Sequence, residues 1–195
     1  KGYLFGGVAT DAISHYDFQA TAGYAQYGLD LTSSLKLKAN VRFENNSIIY
    51  DGSSQGFNDY WEKIFLPPIH FNIDHSMLGY RAALHYLKDE YTSFYGSVSQ
   101  GYKSGGVNQQ PYLSDISRPY EPEFIQNFEI GLKHATKKYQ TQLSAFYSLR
   151  KDQQVSVSSQ QDKENPNSFL FYTGNAGSGT IQGFEWENTL NLSSN

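Results

Sequence analysis

One stretch of the sequence has the spacing of a catalytic nucleophile, Gly52-Ser53-Ser54-Gln55-Gly56. This G-x-S-x-G pattern marks a nucleophile elbow, where a serine sits on a sharp strand-to-helix turn with its hydroxyl exposed. Such an elbow needs a parallel sheet with crossover helices and placed acid and histidine partners. The rest of the chain reads as antiparallel, so the stretch reads as a Gly/Ser loop and no enzyme is expected. The five histidines are His15, His70, His75, His85 and His134, and Cys is 0. None of the histidines is two or four residues from another, as adjacent metal ligands often are. Neither a protein-held metal nor a cofactor is expected. His70, in a loop with Trp61 and Phe71, is the histidine best placed for a ligand.

The elements that must position these residues are strands. From Gln140 onward Thr141, Leu143, Ala145, Tyr147 and Leu149 make one face, and Gln142, Ser144, Ser148, Arg150 and Asp152 the other, with Phe146 as the exception. In Leu35 to Glu44 the apolar set is Leu35, Leu37, Ala39, Val41 and Phe43, and the polar set is Lys36, Lys38, Asn40, Arg42 and Glu44. A period of two is that of a strand with one apolar and one polar face. Several of these runs greatly exceed the ~5–6 residues of a common strand. Tight turns at Asp30–Ser34, Lys88–Glu90 and Lys137–Lys138 alternate with long loops at 51–72, 104–120 and 158–168. Long two-faced strands with alternating short and long connections are the pattern of a transmembrane β-barrel.

Strands are expected at 2–10, 17–29, 35–44, 76–88, 92–103, 121–135, from about 140 to 157, and as one long run at 169–192. On the fifth, Phe94, Val98 and Tyr102 read as outward; a short helix is expected at 58–65. The fold class is therefore all-β, an antiparallel meander of about eight strands, with grease facing lipid and charge facing a wet lumen. Tyr (16) and Phe (13) are abundant, which suits aromatic girdles at a membrane interface. No run of ~18 apolar residues exists to form a membrane helix, a test that a barrel escapes. A net charge of -4 without a basic run argues against nucleic acid as a partner.

Several pieces in order resemble TonB-dependent outer-membrane receptors, in particular their siderophore-receptor branch of the pesticin/yersiniabactin type. Tyr24 to Glu44 (YAQYGLDLTSSLKLKANVRFE) looks like that family's strand–DLT turn–strand hairpin. Tyr95 to Asn108 (YGSVSQGYKSGGVN) resembles its serine-aromatic-glycine strand end, and Tyr120 to Lys133 (YEPEFIQNFEIGLK) its Pro-Glu…Asn-x-Glu-x-Gly-Leu-Lys strand. Ala145 to Val155 and Asn175 to Glu187 are similar to the two segments that follow. Val107 stands where an aromatic is common in the family, and Gly179 where alanine is common.

The resemblance implies a bacterial outer-membrane barrel of about 22 strands with a plug in its lumen. Residues 1–195 would be part of that one barrel domain, with the plug domain and the TonB box absent, so the chain reads as a fragment. The implied activity is energised uptake of a ferric siderophore or similar metal chelate. The implied partners are that chelate, outer-membrane lipid, and the TonB–ExbB–ExbD complex acting through the missing N-terminal part. Loop residues Tyr60, Trp61, His70, Phe71, Tyr102, Asn108 and Tyr112 could contact the ligand, aromatics stacking on flat chelator rings; the alternative is that they pack the loops together. Lys36, Arg42, Glu44, Arg81, Lys103, Glu129, Lys133, Arg150, Asp152, Glu185 and Glu187 are expected to face the lumen, as a permeation path or as cross-strand ion pairs and plug contacts. Two other readings stand beside this one: a complete small eight-stranded outer-membrane barrel of structural or adhesive role, and a soluble all-β enzyme or lectin.

Overall fold

The computed structural model describes residues 2–4, 8–57, 63–110, 113–160 and 169–192; within these, side chains are described for 12–55 and from 68 onward. One antiparallel sheet runs through β1 (Gly2–Leu4), β2 (Val8–Asp30), β3 (Leu35–Phe57), β4 (Lys63–Leu87), β5 (Thr92–Lys103), β8 (Glu123–Ala135), β9 (Tyr139–Lys151) and β12 (Gly179–Leu190), each pairing with the next. Two small ribbons lie within the longer connections: β6 (Gly106–Val107) with β7 (Pro119–Tyr120), and β10 (Gln154–Gln160) with β11 (Phe169–Asn175). A 3-10 turn spans Asp115–Ser117.

The short connections share one device. Thr32 Oγ1 accepts the N–H groups of Ser34 and Leu35 at 3.2 and 3.0 Å. Asp89 Oδ1 accepts those of Tyr91 and Thr92 at 2.9 and 2.8 Å. Thr136 Oγ1 accepts the N–H of Tyr139 at 3.0 Å. A short polar side chain that bonds the backbone two or three residues on closes a turn without help from the rest of the fold. For Asp89 the Tyr91 N–H holds the carboxyl below the ordinary aspartate range, with further help from Thr92.

Register assigns the faces. Residues directly opposite in an antiparallel ladder share a face, and Tyr27, Ala39, Ala82, Val98, Phe128 and Tyr147 form one such row across six strands. The neighbouring row on the other face is Asn40, Arg81, Ser99, Asn127 and Ser148, with Ser148 donating to Asn127 Oδ1 at 2.6 Å. The exposed apolar residues of the sheet include Leu84, Tyr86, Ile130, Leu143, Phe184 and Trp186, all on the first face. Phe146 breaks the pattern by pointing to the polar side, where Gly183 opposite it leaves room; a Cβ there would lie 3.1 Å from the ring.

The apolar side changes face along β2–β4. From Leu35 to Phe43 it is the odd positions of β3. Above Phe43 the odd positions Asn45, Ser47 and Asp51 are polar, with Ile49 as the exception, while the even positions Ile48 and Tyr50 are buried at 0% and 2% exposure. On β4, Ile69, Phe71 and Ile73 share the Ile48 side, and Leu78, Tyr80, Ala82 and Leu84 the opposite one. The nine-residue band Leu35–Phe43 matches the ~9–11 residues of a membrane-crossing strand. Above it the outer face meets water, and the inner face is covered by the β5–β8 connection, whose Val107 packs on Ile48 and Tyr50.

Several expectations need correction. The strands expected at 2–10 and 17–29 are replaced by β1 and one long strand, β2, running from Val8 to Asp30, and the run from about 140 to 157 divides into β9 and β10 of different sheets. The stretch 51–72 is largely strand, since β3 continues to Phe57 and β4 begins at Lys63. Pro67 and Pro68, which read as loop, sit where the β3–β4 register shifts between Gly52 and Ser54; proline lacks an N–H and is tolerated at such an irregularity. The helix expected at 58–65 gives way to strand over Lys63–Phe65, and 58–62 lie outside the described residues. The long run 169–192 is two strands, β11 and β12, separated at Ala176–Ser178 and belonging to different sheets.

Candidate functional site

The Gly52–Gly56 stretch lies inside β3, with Gly52 opposite Ser14 and Ile69, and Ser54 opposite Ala12 and Leu66. A strand interior in an antiparallel ladder cannot be a nucleophile elbow. Gly52 has a packing reason: a Cβ there would come within 2.8 Å of the Tyr50 hydroxyl.

A second feature occupies the inner face above the membrane band. Tyr16 and Phe18 on β2, Tyr50 on β3 and Phe71 on β4 share that face by register. The Tyr16 and Tyr50 rings meet edge-on, with centroids 6.4 Å apart. Partial burial, then the neighbouring Tyr120, raises the Tyr16 hydroxyl above its ordinary range. Below these rings Arg42 pairs with Glu44 at 2.5 Å, and the Tyr102 hydroxyl is 3.0 Å from both Arg42 Nε and Glu44 Oε2. An aromatic wall over a charge-paired, hydrogen-bonding floor can bind a flat, partly polar molecule without covalent chemistry.

Tyr102 therefore leaves the outward stripe in which its spacing placed it. The β4–β5 ladder ends at Tyr80 and Gln100, so Tyr102 has no partner on β4. Its ring lies over Gly79 instead, where a Cβ would be 3.1 Å away.

The other residues singled out from the sequence scatter. Phe71 is half-buried against Ile48, Tyr50 and Val107. His70, its neighbour, faces the opposite side and pairs with Asp51 at 2.7 Å, because adjacent residues of a strand alternate. Asn108 is buried within the loop network. Tyr60, Trp61 and Tyr112 lie outside the described residues. Among the described residues no three histidine or acidic side chains are gathered as a metal site.

Of the charged residues, Arg42, Glu44, Arg81, Lys103, Glu129, Lys133, Arg150, Glu185 and Glu187 occupy the register rows of the polar face. Glu129 accepts the Tyr95 hydroxyl at 2.6 Å, and Lys133 Nζ lies 5.4 Å over the Tyr95 ring. Arg150 pairs with Glu123, whose other oxygen accepts the Gln154 N–H at 2.9 Å. Asp152 departs from the expectation: β9 ends at Lys151, and Asp152 turns the chain with φ 53 rather than extending the polar face. Aspartate tolerates that left-handed conformation better than most residues.

Glu123, Asn46, His75 and Arg118, all buried polar residues, were not singled out from the sequence. The signal for Asn46 was the even-numbered phase of Asn46, Ile48 and Tyr50, visible once the alternation is allowed to change sides. Nothing local marks Arg118, which is 2% exposed and reaches the Gln110 carbonyl at 2.9 Å.

The fold has known counterparts. The ferric yersiniabactin uptake receptor FyuA from Yersinia pestis superposes with a TM-score of 0.72 at 20% identity, over 94% of this chain and 26% of that one. The ferric-catecholate import receptor Fiu from Escherichia coli K12 gives 0.63 at 14% identity, over 92% and 26%. In sequence, the pesticin receptor of Yersinia pestis is 29% identical over 141 residues, 70% of this chain and 20% of the relative. The chain thus spans about a fifth of the length of that relative. The family model described as TonB dependent receptor-like, beta-barrel, matches residues 2–195. With its unbroken antiparallel meander, its lipid-width apolar band and this match over nearly its whole length, the chain belongs to the TonB-dependent receptor β-barrel family, whose members reside in the outer membrane of Gram-negative bacteria.

Proposed function

We propose that residues 1–195 form one stretch of barrel wall in a receptor for energised uptake of a ferric siderophore or similar metal chelate. The supporting observation is the inner side above the membrane band, where the rings of Tyr16 and Phe18 are exposed beside the buried Tyr50 and half-buried Phe71, set over the Arg42–Glu44–Tyr102 group. A chelate with flat rings and polar edges matches that surface, and its entry would come from outside. Phe71 and Tyr102 lie on this inner side; Tyr60, Trp61 and Tyr112 belong to the same contact set read from the loops, whereas His70 faces the opposite side and Asn108 is buried in the loop network. The polar face lines the lumen, with Arg81, Lys103, Glu129, Lys133, Arg150, Glu185 and Glu187 along the path and available to a plug. Release would depend on the TonB–ExbB–ExbD complex, acting through the receptor's N-terminal part. The likeness in name to iron-chelate receptors supports the cargo class, and the fold supports the route.

The test uses the full-length receptor in a host stripped of its own siderophore receptors. Uptake of radiolabelled iron is measured with ferric phenolate and ferric catecholate chelates, with and without TonB. TonB-dependent uptake of one of them is expected. Iron uptake that is identical in the empty host for every chelate would overturn the reading.

A further inference from the structure

The connection between β5 and β8 and the hairpin β10–β11 are separate in sequence, yet Asn108 ties them together. Asn108 is 7% exposed, and its amide is fully used. Nδ2 donates to the Thr173 carbonyl at 2.7 Å and shares its other hydrogen between the Ser117 and Arg118 carbonyls, both at 3.1 Å. Oδ1 accepts the Thr173 N–H at 2.9 Å. Two further ties follow: Gln110 Nε2 donates to the Phe171 carbonyl at 2.7 Å, and the Asn175 amide bonds Glu121 N and O at 2.7 and 2.9 Å. Gln154, at the start of β10, donates to the Ser104 carbonyl at 2.7 Å and the Glu121 carbonyl at 3.2 Å.

The joint between this connection and the β3–β4 wall is of another kind. Among the described residues it is the apolar contact of Val107 with Ile48 and Tyr50, with one short hydrogen bond, between Asn46 and Ser104 at 2.8 Å. Tyr50 reaches the Gln109 carbonyl only at 3.4 Å, and His75 Nε2 stands 3.6 Å from Glu121 Oε2 with its Nδ1 buried and without a partner. Apolar contact is non-directional, whereas a paired amide fixes both distance and orientation.

We infer that residues 104–110 and 113–120 and the paired strands β10 and β11 are one rigid unit, resting on the inner aromatic wall through Val107, with Asn108 as the positioning residue that makes them one. The inference rests on the proposed function only for the meaning of the unit; the rigid coupling stands on the hydrogen bonds alone. Whatever opens the mouth moves both segments together against the β3–β4 wall. Ligand selectivity is then set jointly by two segments that share no sequence neighbourhood.

The coupling is tested on the full-length receptor in detergent, without ligand, by electron-spin distance measurements. Spin labels at Ile116 and Phe171, which are 93% and 64% exposed, report the two halves of the unit. Labels at Lys88 and Lys137, in two tight turns at the far end, report the barrel. A single narrow Ile116–Phe171 distance is expected. It should broaden in Asn108→Ala and less in Gln110→Ala, while the Lys88–Lys137 distance stays unchanged in both. A broad distance in the unsubstituted receptor, or a narrow one that survives Asn108→Ala, overturns the inference. Should Asn108→Ala fail to assemble, hydrogen exchange on the unsubstituted receptor decides. The Asn108 and Thr173 amides must then exchange at one common rate, and clearly different rates refute the single rigid unit.

Discussion

The phenol ring of Tyr95 lies across Gly131 on the neighbouring strand, and its hydroxyl reaches Glu129 at 2.6 Å. His85 stacks on the same ring from the other side of β5, with centroids 6.0 Å apart. A cross-strand aromatic over a glycine covers backbone that would otherwise face the lumen. Gly131→Ala places a methyl inside the ring's contact distance, and overpacking of this kind costs about 1–3 kcal/mol. The expected outcome is a lower denaturant midpoint for the folded barrel in vesicles, with the fold intact by heat-modifiable gel migration. An unchanged midpoint would mean that the ring is free to move away.

The two faces differ in what they tolerate. Ala145 stands in the apolar row between Ile130 and Phe184, and Ser97 in the polar row between Ala83 and Glu129. Arginine on the lipid side near the membrane midplane costs about 2–4 kcal/mol, whereas lumen substitutions mainly tune selectivity. Ala145→Arg should therefore lower stability in lipid vesicles by that amount, and Ser97→Arg should change it far less. Equal losses would contradict the assignment of faces.

Glu123 is 7% exposed and takes both the Arg150 guanidinium and the Gln154 N–H. Glu123→Ala leaves a half-buried cation unpaired at the point where β9 passes into β10. Loss of a charge-assisted bond with its partner retained costs about 1–3 kcal/mol. The β10–β11 hairpin is expected to become protease-sensitive at a pH where the unsubstituted receptor resists, while the membrane strands remain protected.

Long strands and turns were legible in the sequence because lipid imposes a strict alternation on one face, and runs such as Leu35–Phe43 carry it without error. The upper half of β2–β4 was not, because its two faces exchange solvents. Ile48, Tyr50 and Phe71 needed an apolar neighbour on the inside just where Asn45, Ser47 and Asp74 needed water on the outside. Read with a fixed phase, that exchange looks like loss of strand character, and Pro67–Pro68 strengthened the impression. The site was less legible still. Phe71 and His70 are neighbours in sequence but lie on opposite faces, and Asn108 spends its amide on Thr173, a residue that no local pattern connects to it.

The Asp89 turn gives a pH dependence of definite sign. The Tyr91 and Thr92 N–H groups hold the carboxyl below its unfolded value. Its stabilisation is therefore present above the ordinary carboxylate range near ~4 and is lost as the pH falls through the lowered folded value. Unfolding midpoints measured from neutral pH downward should fall more for the unsubstituted receptor than for Asp89→Asn. Parallel curves would show that the turn's carboxylate carries no linkage.

The rise of β3 past the membrane band changes what its outer side carries. From Phe43 to Phe57 the strand climbs about 45 Å along its own axis, at ~3.3 Å per residue, paired on both sides. A three-stranded mast of this kind extends well past the membrane band and exposes Asp51, His70 and Asp74 on its outer side, with Asp17 half-buried beside them. Along this stretch the side turned away from the polar face is therefore acidic and histidine-bearing, not apolar as it is beside the membrane band.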